Sequence, residues 1–99
     1  MAEEKQVTNE NIVYIGTKPF MTYVTSVVMQ FTTKQRNEVI IKARGKFINR
    51  AVDIAEFVKN KFLKEKKLKI KDVKIDSEEF ENKEGKKVSV STIEITLSK

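Results

Sequence analysis

Apolar positions change their spacing several times along the chain, and each change marks an element. Asn11-Ile12-Val13-Tyr14-Ile15 is a β-branched, apolar run halted by Gly16, the pattern of a buried strand. Pro19 has a fixed φ suited to a first helical residue. From there to about Thr33, Phe20, Val24, Val27, Val28 and Phe31 share one helical face. Glu38-Val39-Ile40-Ile41-Lys42-Ala43 predicts a second strand, broken by Gly45. A strand, helix, strand series of this length implies a right-handed crossover between parallel neighbours. From Lys46 to about Leu63, Ile48, Ala51, Val52, Ala55, Val58 and Phe62 recur at three and four, which predicts a second amphipathic helix with residues 64–67 as its frayed end.

The remainder reads as strands over 68–80 and 87–97, joined by a polar hairpin turn at 81–86 that contains Gly85. In the last strand the apolar phase changes from Val88 and Val90 to Ile93, Ile95 and Leu97. A strict period of two does not produce that change, so a bulge is expected near Ser91 and Thr92. A similar slip between Ile70 and Val73 predicts a bent hairpin whose outer half projects past the core. Residues 1–10 read as a flexible polar tail and residues 11–99 as a single domain, with no repeat or low-complexity linker. A chain of 99 residues suffices for one core.

Charge narrows the function classes. Lys and Arg total 20 against 14 Asp and Glu, a net +6 that favours a polyanionic partner or an acidic membrane. Cysteine and histidine are absent, which excludes disulfides, thiolate nucleophiles, histidine bases and Cys/His zinc sites. The amino-terminal residues lack the apolar core of a signal peptide, and no apolar run approaches the ~20 residues that span a bilayer. A cytoplasmic protein with no membrane partner is expected.

If the first two strands are parallel, both helices start at one edge of the sheet, the usual ligand position in open α/β folds. That edge carries Gly16-Thr17-Lys18-Pro19 and Lys42-Ala43-Arg44-Gly45-Lys46, so helical N–H groups and cations converge where a phosphate would bind. Tight turns with solvated lysines are the plainer account of the same residues. Asn49 and Arg50, on the first turn of the second helix, extend the patch as an amide donor and a charge-assisted ligand. Asn49 serves equally well as a local cap.

Lys83, Lys86 and Lys87 make the hairpin tip basic, and a thin β arm can follow a groove of a duplex. Glu81 and Glu84 oppose that charge, and a solvated turn is the plainer reading. No array of Asn or Arg pairs suggests a base-specific code. Asp72, Asp76, Glu78, Glu79 and Glu81 form an acidic group that a metal-dependent nuclease would use to hold Mg²⁺. Solvated strands are routinely acidic, however, and no base is evident beside them. Most of the six phenylalanines belong to the core. Phe57 and Phe62, with residues 54 and 58, widen the stripe of the second helix as an oligomer interface would.

Three blocks together resemble the archaeal Alba family of chromatin proteins in order and spacing, over about residues 11–97. They are Gly16-Thr17-Lys18-Pro19-Phe20-Met21-Thr22-Tyr23-Val24; Ile41-Lys42-Ala43-Arg44-Gly45-Lys46 leading to Ile48, Ala51, Val52 and Asp53; and Val90-Ser91-Thr92-Ile93-Glu94-Ile95. The resemblance implies an α+β, two-layer fold of order β-α-β-α-β-β with a projecting hairpin arm, similar to the C-terminal domain of a bacterial translation initiation factor. It also implies a homodimer that packages double-stranded DNA and binds RNA, without catalysis, cofactor, metal or small-molecule substrate, on the chromosome in the cytoplasm. By the same carry-over Thr17, Lys18, Lys42, Arg44, Lys46, Asn49 and Arg50 form the binding body. Lys83, Lys86 and Lys87 form the arm, and Phe62 with Lys59 and Lys61 lies where dimers meet along DNA.

Two departures stand out. The family commonly has two lysines after the glycine, the first of them tied to acetylation control, and here that position is Thr17. Its Arg-Asn-Arg-Phe segment is Lys59-Asn60-Lys61-Phe62 here, which keeps charge and loses bidentate guanidinium contacts. The reading is therefore sequence-independent phosphate binding that organises the chromosome. Its rivals are a mainly RNA-binding protein, a protein-interaction module anchored by Phe57 and Phe62, and a nuclease using Asp72, Asp76 and Glu78.

Overall fold

Two strands rich in β-branched residues lie side by side because each is buried on one face and ended by a glycine-containing turn. In the computed structural model, which describes residues 11–62 and 67–99, β1 (Ile12–Tyr14) pairs in parallel with β2 (Glu38–Arg44). Between them α1 (Phe20–Thr32) makes the crossover. Pro19 stands one position earlier than its φ suggested, as the N-cap with extended ψ, and its carbonyl accepts from Thr22 N–H at 3.0 Å. After β2 a 3-10 turn (Gly45–Phe47) opens α2 (Ile48–Phe57), which ends in a π turn (Val58–Phe62). Then β3 (Lys69–Glu81) and β4 (Lys87–Ser98) form the hairpin, giving one four-stranded sheet in the order β1-β2-β4-β3. The expected tail at 1–10, and most of the expected frayed helix end, lie outside the described residues.

Both helices cover the same sheet face. Val13, Ile15, Val39, Ile41, Ala43, Ile93, Ile95 and Leu97 point into the core from the strands. Tyr23, Val24, Val27 and Phe31 meet them from α1, and Ala51, Ile54 and Ala55 from α2. Each fully buried Val, Ile, Leu or Phe is worth about 1.5–3 kcal/mol relative to exposure. The stripe Ala51, Ile54, Ala55, Val58 follows i, i+3, i+4, i+7. That phase leaves Val52, expected in the core, exposed on the flank of α2.

The bulge expected near Ser91 and Thr92 is absent. Pairing runs unbroken from Glu94 opposite Lys74 to Lys87 opposite Glu81. The apolar phase changes because the apolar residues change faces: Ile93, Ile95 and Leu97 face the helices, while Val88 and Val90 occupy alternate positions on the other side of a regular strand. The second irregularity is present, since Ile70 pairs with Leu97 and Asp72 with Thr96, which leaves Lys71 as an extra residue. Its ammonium reaches Glu38 on β2. Beyond it the hairpin projects: thirteen residues of β3 span about 43 Å at ~3.3 Å per residue, and the molecule measures 50 × 33 × 23 Å.

Candidate nucleic-acid interface

Two short turns meet at one end of the parallel strands, and a single guanidinium ties them together. Arg50, on the first turns of α2, donates from Nη1 to the Gly16 carbonyl at 2.8 Å. Its guanidinium lies 5.8 Å from the Tyr23 ring centre. The Tyr23 hydroxyl in turn accepts from the N–H groups of Gly16 at 2.9 Å and Lys18 at 3.0 Å. Two loop donors expected to face a phosphate are therefore spent inside the molecule. What they secure is the loop itself, which holds Thr17 and Lys18 exposed. A side chain on Gly16 would bring its Cβ to 3.3 Å from that hydroxyl, closer than the loop accepts without shifting.

The second turn needs a left-handed residue. Gly45 has φ +60°, a conformation that β-carbon sterics disfavour in other residues. It swings Lys46 out beside α2, where its ammonium lies 5.5 Å from the Phe47 ring centre. Among the described residues neither Lys18 nor Lys46 has an acidic partner. Asn49 does not cap the helix, whose N-cap is Phe47 without a side-chain bond. It lies exposed, with Nδ2 3.5 Å from Asp53.

Lys42 and Arg44 sit elsewhere than the sequence suggested. Alternation along β2 sends Ala43 into the core and turns Lys42 and Arg44 onto the sheet face opposite the helices. Each meets an acid there: Lys42 Nζ is 3.3 Å from Glu94, and Arg44 Nη2 is 3.6 Å from Glu78 on the arm. Arg44 also lies 5.9 Å from the Phe80 ring centre. These acids were missed because cross-strand neighbours depend on register, which only the paired strands reveal.

The arm tip is held at Asn82, whose N–H donates to the Lys86 carbonyl at 2.9 Å and whose carbonyl accepts from Gly85 N–H at 3.0 Å. Asn82 Oδ1 accepts from Glu84 N–H at 2.9 Å and Lys86 N–H at 3.0 Å, and Gly85 closes the turn at φ +80°. Lys83, Lys86 and Lys87 are exposed around it. Of the expected acidic group, register places Asp72, Asp76 and Glu78 on the open face and Glu79 and Glu81 on the other. Among the described residues no three such groups gather closely enough to hold a metal ion.

The residues expected between dimers divide. Lys59 pairs with Glu56 at 3.1 Å, Lys61 is exposed, and the Phe62 side chain lies outside what is described. Phe57 is not the free anchor its position suggested. It packs edge-on against Phe20 of α1, with ring centres 5.6 Å apart at 89°.

A match to the Alba family model extends over residues 11–77, from β1 into the middle of β3. The chain belongs to the Alba family. The DNA/RNA-binding protein Alba of Methanococcus maripaludis is 47% identical over 90 residues, 91% of this chain and 99% of that protein. The one from Nanoarchaeum equitans is 53% identical over 87 residues, 88% of this chain and 96% of its own length. In three dimensions Alba from Thermoplasma volcanium superposes with a TM-score of 0.80 at 45% identity, covering 90% of this chain and all of that one. The expected α+β order, with the hairpin last, is thus the Alba fold.

Proposed function

We propose that this Alba-family chain binds double-stranded DNA, and RNA as well, through phosphates, with little sequence preference and without catalysis, and so organises the chromosome in the cytoplasm. One observation carries the reading: two adjacent helix starts, locked together by Arg50 on the Gly16 carbonyl, present Lys18 and Lys46 without an acidic partner among the described residues. The exposed arm lysines add a second cationic contact along the same molecule. Relatives bearing the name DNA/RNA-binding protein support the partner class. The absence of Cys and His supports a role other than catalysis. Among the described residues no helix is long and apolar enough to cross a membrane. Residues 11–99 serve as the single binding domain.

The working unit is a homodimer. Val73 and Ile75 register with the core residues Ile95 and Ile93 and so face the helix side of the sheet, yet they are 50% and 80% exposed. Ile70 and Val52 are also exposed, and a second copy that buries this stripe accounts for all four. Val73→Glu with Ile75→Glu is expected to give monomers by light scattering; a dimer that persists places the interface elsewhere.

The binding mechanism is tested by salt. A dimer that engages ~6 phosphates gives a logarithmic slope of about five, at roughly 0.9 per contact. A slope near zero overturns phosphate binding. Competition between a random duplex and structured RNA at fixed salt then ranks the two partners.

A further inference from the structure

The sheet face away from the helices carries an aromatic side chain that the phosphate reading leaves unused. Tyr14 is 62% exposed on β1, the edge strand farthest from the apolar stripe of β3. Register places Tyr14, Lys42, Glu94 and Lys74 in one row across the four strands, with Arg44, Thr92 and Asp76 in the next. Lys42 Nζ stands 5.8 Å from the Tyr14 ring centre. Together Tyr14, Lys42, Arg44, Glu78, Thr92 and Glu94 wall a groove of about 280 Å³.

The chemistry of that groove differs from that of the helix starts. Its two cations are matched by two carboxylates, at 3.3 Å and 3.6 Å, so its charge cancels and it has little pull on a phosphate. It offers a ring to stack on, ammonium and guanidinium donors, carboxylate acceptors and a hydroxyl. A planar, neutral group with both donors and acceptors suits it, which describes a nucleobase. Arg44 lines the groove and leads directly through Gly45 to Lys46, so a strand held by its phosphates at the helix starts has a base within reach of Tyr14. A paired, stacked base does not enter such a groove.

We propose that the Tyr14 groove receives an unpaired base of a single-stranded nucleic acid whose phosphates lie on the helix-start edge. This rests on the phosphate-binding reading above and extends it. Glu94 and Glu78 accept from amino groups, so cytosine, adenine and guanine are preferred over uracil, which has no exocyclic amine.

The chain has no tryptophan, so Tyr14→Trp installs a single fluorophore in the groove. Oligo(C) and oligo(U) RNA of about ten nucleotides, within the usual span of one single-strand site, are titrated beside a blunt duplex. The expected result is quenching by single strands, stronger for oligo(C), and none by the duplex. Tyr14→Ala is expected to weaken oligo(C) about tenfold, the scale of one stacked base, with Tyr14→Phe near wild type. Duplex affinity of Tyr14→Ala should change by less than about twofold, because Tyr14 contributes no charge. An unquenched tryptophan, or equal losses on both ligands, overturns the proposal. Wild type that binds the duplex but no single strand sinks this inference alone; wild type that binds neither sinks the phosphate reading with it.

Discussion

The body edge and the arm tip carry the same kind of charge, held in opposite ways. At the helix starts Lys18 stands on a loop whose backbone is fixed by the Tyr23 hydroxyl and the Arg50 guanidinium, both anchored in packed elements. At the tip Lys83 and Lys86 stand on a turn closed by side-chain and backbone bonds of Asn82, at the end of a two-stranded ribbon with no buried residue outside Ile93. The body loop is tied to two packed elements, whereas the arm turn is tied only within its own hairpin. Pre-organised contacts keep more of their energy on binding, since less side-chain and loop entropy is lost.

The largest effect expected from that contrast is at the body. Lys18→Glu with Lys46→Glu should weaken duplex binding on the order of a hundredfold and lower the salt slope of the dimer by about 3.6, since each protomer loses two phosphate contacts at roughly 0.9 apiece. Filter binding across salt concentrations measures both; an unchanged slope would mean that the arm does the binding. Next comes Tyr23→Phe, which keeps the ring in the core and deletes the acceptor of two N–H groups. It should cost about 1–3 kcal/mol in denaturant unfolding and loosen duplex binding about fivefold through a less ordered loop. Stability loss with unaltered affinity would show that loop order is irrelevant to binding. The smallest effect belongs to Asn82→Ala, expected to speed amide exchange at residues 83–86, to weaken duplex binding about twofold, and to leave global stability within about 0.5 kcal/mol. A large stability loss there would contradict the picture of an arm that folds on its own account.

Elements whose identity depends on local pattern were legible in the chain. The β-branched runs around Val13 and Ile41, the helical spacing from Phe20 to Phe31, and the glycine stops mark every strand and the first helix within about two residues, while the second helix, expected to reach Leu63, keeps α geometry only to Phe57 and continues as a π turn to Phe62. Features that depend on a distant partner were not. The phase change in β4 looks like a bulge because a switch of faces and an inserted residue leave the same trace in a one-dimensional pattern. Tyr23 reads as one more apolar position in a helix, since nothing local shows that its hydroxyl meets a loop five to seven residues earlier. Arg50 reads as a ligand because its carbonyl partner lies thirty-four residues away. Phe57 reads as unpaired for the same reason, its partner Phe20 lying on another helix.

β3 is a long edge strand, exposed along its whole length, with backbone donors and acceptors open on the side away from β4. Such a strand templates the addition of further strands, and edge-to-edge stacking into fibres follows when it is flat and uncharged. Here Lys69, Lys71, Asp72, Lys74, Asp76 and Glu78 break up the apolar positions, and the extra residue at Lys71 disturbs the ladder near its start. Removing Lys71 would restore a straight, regular edge, and the cost of that tidier strand would be paid in solubility.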